Sequence, residues 1–222
     1  FVRFSPLPEI DTEHETAEVA EANSGKTSIF QFPHLILGAV AIFLHVGTQV
    51  IAIDTAAPSL RYAHARAQSL GATNIRFVQA NAEDLSRWAD ESFDWVQTTM
   101  FLHETSGKAL PKIINEGARV LANGGLMLHL EQPQYSDAMP LYEQFIRDWD
   151  AFNNNEPFWS AMHALDMTEI MMGAGFGKGD LFSTGVRAVV DTDVFPQAKE
   201  GEEDHGRAAY WHAYGAWKGS AA

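Results

Sequence analysis

Acidic and histidine side chains stand near the ends of three apolar runs in this sequence, where they could bind a ligand or move a proton. They are Asp54 after Val50–Ile53, His103 and Glu104 after Phe93–Thr98, and His129 and Glu131 around the end of Leu126–Leu130. A run such as Val50–Ile53 is typical of a strand covered on both faces, as in a parallel sheet. Because open α/β sheets bind ligands outside the carboxyl ends of their strands, we expect these side chains to share one functional edge.

Asp54 has two interpretations. At the end of a strand, its carboxylate can accept hydrogen bonds from both hydroxyls of a ribose. Alternatively, it only caps the helix that follows.

His103 is the preferred base for proton transfer, because the unperturbed pKa of histidine lies near neutrality. The alternative for His103 is a partly buried histidine that caps the next helix. His129 and Glu131 are two residues apart and therefore share one face of a strand. Glu131 lies nearer the strand end and is the better candidate for a contact with substrate or cofactor.

Strand and helix patterns alternate through the middle of the chain. Strands are predicted at 50–53, 75–79, 93–98 and 126–130, helices at 58–70 and about 106–121, and a short helix or loop at 82–89. This alternation predicts an α/β fold with a doubly wound, mostly parallel sheet. Two further strands, at 181–190 and 210–218, predict a C-terminal antiparallel hairpin. We expect an acidic N-terminal extension at 1–28 and a single domain at 29–222.

A helical insert is predicted at about 135–165. Its large apolar residues at helical spacing are Leu141, Phe145, Trp149 and Phe152. Such a stripe usually packs into the core, and that is the prediction here. The loop 153–159 combines asparagines with aromatic residues and is the predicted lid over a substrate.

The composition excludes several classes of function. The net charge of −14 argues against a nucleic-acid partner, because phosphate binding depends on clustered Lys and Arg. The absence of cysteine excludes disulfides and thiolate metal sites and fits a cytoplasmic protein. The nine histidines show no metal-ligand spacing, and no apolar run reaches the ~20 residues of a membrane span. We therefore expect no metal, no membrane association and a small-molecule substrate, with the oligomeric state open.

The order of motifs resembles the class I S-adenosylmethionine-dependent methyltransferases. The matching segments are Ile51–Asp54, Phe77–Leu85, Ser92–Val96, Leu102–Glu104 and Ala118–Leu126, the last containing Arg-Val-Leu-Ala-Asn-Gly-Gly. The resemblance implies a Rossmann-like sheet of seven strands and S-adenosylmethionine (SAM) as cofactor. It implies that Asp54 holds the ribose, that Asn81 and the amide of Ala82 contact the adenine, and that Thr98 belongs to the cofactor site.

One segment departs from the family pattern. The glycine-rich turn that approaches the methionine end of the cofactor is expected at His34–Gly38, where only Gly38 is a glycine. Three explanations stay open: a divergent site that includes Gly38, a domain that has lost cofactor binding, or a sequence altered before Gln49.

The leading functional hypothesis is SAM-dependent methyl transfer to a small organic molecule by in-line displacement. His103 would be the base and Glu131 a substrate or cofactor contact. One alternative is a non-catalytic binding module with a methyltransferase fold, which the altered turn favours. The other is an NAD(P)-dependent oxidoreductase, which Asp54 would suit but which also requires a glycine fingerprint.

Overall fold

The structure is a computed structural model that describes residues 2–3, 27–31, 49–137, 139–187, 189–190 and 210–219. The strands are β1 (Val2–Arg3), β2 (Thr27–Gln31), β3 (Gln49–Asp54), β4 (Ile75–Gln79), β5 (Phe93–Thr99), β6 (Leu121–Glu131), β7 (Leu181–Arg187), β8 (Val189–Val190) and β9 (Tyr210–Trp217). The α-helices are α1 (Ala57–Ser69), α2 (Ala109–Val120), α3 (Leu141–Asn153), α4 (Trp159–His163) and α5 (Met167–Gly173). Single 3-10 turns lie at Leu102–Glu104 and Lys178–Asp180.

The main sheet has the strand order β4-β3-β2-β5-β6-β9-β7, and β1 pairs separately with β8. The neighbouring strands from β4 to β6 are parallel, whereas β9 is antiparallel to both β6 and β7. The chain extends from β2 to one side through β3 and β4, and then resumes on the other side with β5. The predicted α/β Rossmann-like class is therefore confirmed. The reversal between β2 and β5 is the kind of switch point at which open α/β sheets bind ligands.

Most predicted boundaries in the middle of the chain lie within one to three residues of the observed ones. The main difference is β6, which starts at Leu121 rather than Leu126. Leu121 pairs with Phe93, and after a register shift Leu126 pairs with Trp95. The extra residues contain Gly124, whose φ of 78° only glycine adopts without a steric cost. Residues 82–89 form turns and no helix.

Most of the predictions for residues 1–48 cannot be compared with the structure. Most of the acidic extension expected at 1–28 and the turn at His34–Gly38 lie outside the described residues. β2 begins at Thr27, two residues before the predicted domain start at 29. The division of the chain at residue 28 stays a prediction.

The described core lies between the sheet and α2, and buried side chains of α4 and α5 join it. Leu110 and Ile114 of α2 are fully buried, as are Leu121 and Met127 of β6. Their burial is the main stabilising term for this half of the sheet, at about 1.5–3 kcal/mol for each large side chain. This packing fixes β5 and β6 and hence the segments that follow their carboxyl ends.

Gly125 occupies a position with no room for a side chain. A Cβ there would lie 2.8 Å from the carbonyl oxygen of Asp94 and 2.9 Å from that of Ala122. We expect Gly125→Ala to lower the free energy of unfolding by about 1–3 kcal/mol, because backbone atoms cannot move aside cheaply. Chemical denaturation measures this change. Gly107→Ala is the control, since its Cβ would meet nothing within 4 Å, and equal stability of the two variants would contradict the packing described here.

The helical insert is present, but its apolar stripe does not pack into the core as predicted. Leu141, Phe145, Trp149 and Phe152 are 82%, 61%, 54% and 85% exposed. A polar side of α3 that adjoins this stripe contacts the protein instead, where Arg147 donates to Gln132 and Asp148 accepts from Tyr135. The spacing of the apolar residues identifies the apolar face of the helix correctly. It does not show which face of the helix packs against the rest of the protein.

No helix within the described part of the chain is long and apolar enough to span a membrane.

Candidate active site

His103 and Glu131 form a buried pair at the carboxyl ends of β5 and β6. The distance from His103 Nδ1 to Glu131 Oε2 is 2.7 Å, and the two residues are 4% and 0% exposed. They meet because β5 and β6 are parallel neighbours, so that Glu131 at the end of β6 lies beside the turn that carries His103. The two residues that the sequence singled out for chemistry are therefore brought together.

The other oxygen of Glu131 holds the backbone of the same turn. Glu131 Oε1 accepts hydrogen bonds from the amides of Phe101 and Leu102, at 2.8 and 2.6 Å. A buried carboxylate with three donors is compatible with the interior, whereas an unpaired one is not. Glu131 thus positions His103 from two directions, through its imidazole and through the chain that precedes it.

This pairing sets the protonation chemistry of His103. Burial alone would lower the pKa of His103, but the hydrogen bond and charge of Glu131 outweigh burial and raise the pKa above its ordinary value. A carboxylate at Nδ1 favours the tautomer with the proton on Nδ1. The lone pair of the neutral ring then lies on Nε2, which can accept a proton.

Aromatic rings of the insert cover the imidazole. The ring of Trp159, the first residue of α4, stacks on His103 with centroids 5.2 Å apart. Tyr135 stacks on His163 at 4.7 Å, and burial lowers the pKa of His163 to about 4. Trp159 therefore closes the predicted lid segment 153–159 onto the candidate base. The lid function itself stays a prediction.

Two further carboxylates, Glu104 and Glu156, surround His103. Nε2 of His103 lies 3.8 Å from Glu104 Oε1, and donor atoms of His103, Glu104 and Glu156 lie within 4.8 Å of one another. Within the described ranges this is the group whose geometry could admit a cation. Partly exposed acidic groups often converge without a metal, and the expectation of no metal stays a prediction.

Asp54 lies at the carboxyl end of β3 and is 8% exposed. Its Oδ1 accepts the amide of Ala56 at 2.7 Å. Ala56 itself is the N-cap of α1, and no side chain caps that helix. The alternative of Asp54 as a helix cap in the strict sense is therefore wrong; the carboxylate shapes the turn between β3 and α1.

The two candidates for adenine contact lie at the end of β4, the neighbour of β3. Asn81 is exposed and accepts the amide of Glu83 through Oδ1, whereas Ala82 is 5% exposed. Asp54, Asn81 and Ala82 thus follow adjacent parallel strands. Their role in cofactor binding stays a prediction, as does that of Gly38, which lies outside the described residues.

Thr98 does not present its hydroxyl to the strand ends. Its Oγ1 lies 2.7 Å from Nδ1 of His129, its partner in the β5–β6 register, and both residues are buried. Burial lowers the pKa of His129 to about 3, so this ring is neutral at physiological pH. A contact of Thr98 with a cofactor would have to use its backbone, and the assignment stays a prediction.

Residues 37–129 match a family model described as a methyltransferase domain. Comparison with curated proteins found no match.

Three solved structures illustrate the likeness of fold. A putative methyltransferase from Bacillus halodurans C-125 is 19% identical with a TM-score of 0.58, over 90% of this chain and 95% of that one. Phosphoethanolamine N-methyltransferase 2 from Haemonchus contortus, in complex with SAM, is 14% identical with a TM-score of 0.58. The match covers 93% of this chain and 52% of that one. The [4+2]-cyclase SpnF is 17% identical with a TM-score of 0.61, and the match covers 92% of this chain and 80% of that one.

Because these identities are low, the structural matches are evidence for the fold alone. The sequence match covers β3, α1, β4, β5, α2 and all but the last two residues of β6, and these elements carry the motifs identified above. The chain is therefore similar to methyltransferase domains over residues 37–129 and shares their Rossmann-like fold.

Proposed function

We propose that the protein transfers the methyl group of SAM to a small organic molecule that is neutral or positively charged. The observation that carries the proposal is the buried His103–Glu131 pair at the ligand-binding edge of the sheet. It supplies an oriented base at the place where the family fold binds its substrates.

The residues at the strand ends fit the cofactor that the family uses. Asp54 would hold the ribose hydroxyls, and Asn81 with Ala82 would border the adenine. SAM supplies an electrophilic methyl group on a sulfonium when it is bound. The fit rests on a buried carboxylate and an exposed amide that follow adjacent strands.

The reaction requires an acceptor aligned with the methyl carbon and a group that takes the acceptor proton. Bound SAM would supply the methyl group to the acceptor, and its sulfur would leave with the electron pair of the carbon–sulfur bond. Nε2 of His103 takes the proton of the acceptor. Glu131 and Glu104 then stabilise the imidazolium, at 2.7 and 3.8 Å.

The charge around His103 favours an acceptor that is not an anion. Glu104 and Glu156 lie beside the imidazole, and the whole chain carries a net charge of −14. A site bordered by carboxylates repels anions and concentrates neutral or cationic molecules. A radiolabelled methyl-transfer assay with amines, alcohols and carboxylic acids of matched size tests this preference. Transfer to the acids alone would contradict it.

Asp54 gives the most direct test of cofactor binding. We expect Asp54→Ala to weaken SAM binding by about 10- to 100-fold, because a charged acceptor of ribose hydrogen bonds is lost. Asp90→Ala is the matched control, since Asp90 lies before the amino end of β5 at the opposite edge of the sheet. Calorimetric titration measures both, and unchanged affinity in Asp54→Ala would exclude the ribose contact.

A further inference from the structure

The exposed apolar face of α3 is unusual for a helix of a folded domain. Five large residues share it: Leu141, Tyr142, Phe145, Trp149 and Phe152. At 3.6 residues per turn they fall within an arc of about 100°, and we call them the α3 stripe. Each is at least 54% exposed. An amphipathic helix normally buries this face.

The orientation of α3 is fixed by its other side. Asp148 accepts hydrogen bonds from Tyr135 and Ser160, at 2.6 and 2.7 Å. Arg147 donates to Gln132 at 2.6 Å, and Ala151 is buried. These contacts keep the polar side inward, so a rotation that buried the α3 stripe would break several of them.

The area of the α3 stripe matches one half of a protein–protein interface. Taking ~200 Å² for an aromatic side chain and slightly less for Leu141, the exposed fractions amount to roughly 700 Å². The largest apolar patch of an ordinary monomer is about 300–600 Å², whereas a stable complex buries about 800 Å² per partner. Aromatic residues are also the type enriched at the centres of interfaces.

We propose that the α3 stripe is the dimer interface of this protein and that its occupant is the α3 stripe of a second copy. The stripe repeats at positions i, i+4, i+8 and i+11 along one helix, a pattern that can pack against itself about a two-fold axis. The net charge of −14 opposes both a second copy and an anionic membrane surface. The area of the α3 stripe and its self-complementary spacing are therefore what favour the second copy.

Dimerisation would also reinforce the candidate active site. α3 is joined through Asp148 to Ser160, the neighbour of Trp159, and Trp159 stacks on His103. A partner helix that holds α3 therefore restrains the aromatic cover of the imidazole. This link does not depend on the identity of the methyl acceptor.

Sedimentation equilibrium of the full chain tests the proposal, with Phe145→Gln/Phe152→Gln as the variant. Glutamine favours helix and leaves the net charge unchanged. We expect the wild type to dimerise and the variant to have a dimer dissociation constant on the order of 10³-fold higher, because four buried rings are lost per dimer. Higher salt should strengthen the wild-type dimer, because it screens the repulsion between two acidic chains.

The control is Tyr62→Gln, which removes an aromatic ring that is 59% exposed on α1. It should dimerise like the wild type, and the circular dichroism spectra of all three proteins should agree. A wild-type protein that stays monomeric at ~100 μM would overturn the proposal, as would a dimer that survives in the double variant. Oxidative footprinting that found Trp149 protected in a monomer would assign the stripe to another segment of the same chain and overturn it too.

Discussion

Replacing Glu131 with alanine is expected to lower the free energy of unfolding by about 3–5 kcal/mol, as found when one partner of a buried charged pair is removed. The variant leaves the amides of Phe101 and Leu102 without their acceptor and the imidazole of His103 without its carboxylate. Each unsatisfied buried group adds a desolvation cost of about 1–3 kcal/mol. Denaturant titration monitored by circular dichroism measures the loss.

Glu131→Gln is the informative control. Its side-chain oxygen can still accept both backbone amides, so we expect it to recover most of the stability that alanine loses. Equal destabilisation of the Glu131→Gln and Glu131→Ala variants would mean that the charge of Glu131, and not its hydrogen bonds to the backbone, stabilises the turn at Phe101 and Leu102. A loss below ~0.5 kcal/mol for alanine would contradict the role of Glu131 altogether.

The second large effect concerns the reaction. We expect His103→Gln to reduce kcat/KM for methyl transfer by about 10²–10⁴-fold, the range for loss of a general base. Glu131→Gln should also lower the rate, because an amide nitrogen at Nδ1 favours the tautomer that carries its proton on Nε2. SAM affinity, measured by calorimetry, should change little in either variant.

The pH profile separates a base from a structural histidine. The neutral imidazole is the active form, and Glu131 raises the pKa of His103. The wild-type rate should therefore rise with pH through a midpoint above 6.5, the ordinary histidine value. Glu131→Gln should move this midpoint to lower pH, and His103→Gln should abolish it. A midpoint that is the same in all three proteins would show that another group titrates.

The central elements could be predicted because local patterns and tertiary packing agree there. The apolar run before Asp54 is a strand, and Pro58 begins the next helix within its first turn. The start of β6 was missed because it depends on pairing with Phe93 across a register shift, which leaves no local signal. Pairing between distant segments is the information that periodicity lacks.

The placement of the candidate site residues could be predicted in part. Their positions at strand ends single out His103 and Glu131, but the local sequence does not predict their direct contact. It could have been found from the order of the sheet, since parallel neighbours bring their carboxyl ends together. The hydrogen bonds to Phe101 and Leu102 and the nearness of Glu156 left no signal, because backbone amides and loop carboxylates show no pattern in sequence.

The orientation of α3 was predicted wrongly for a physical reason. An apolar stripe shows that a helix has two faces but not which one the protein covers. In α3, hydrogen bonds from Tyr135 and Arg147 hold the polar face inward. Such contacts depend on side chains from other elements, which the sequence of the helix alone does not reveal.

Calorimetric titration of the full chain with SAM, with S-adenosylhomocysteine and NAD in parallel, tests the proposed function. We expect binding of the first two with a Kd on the order of 1–100 μM, a loss of affinity in Asp54→Ala, and no binding of NAD. Such a result would support a working cofactor site despite the single glycine at His34–Gly38. Absence of binding to SAM and S-adenosylhomocysteine would contradict the account and leave a methyltransferase fold that serves another function.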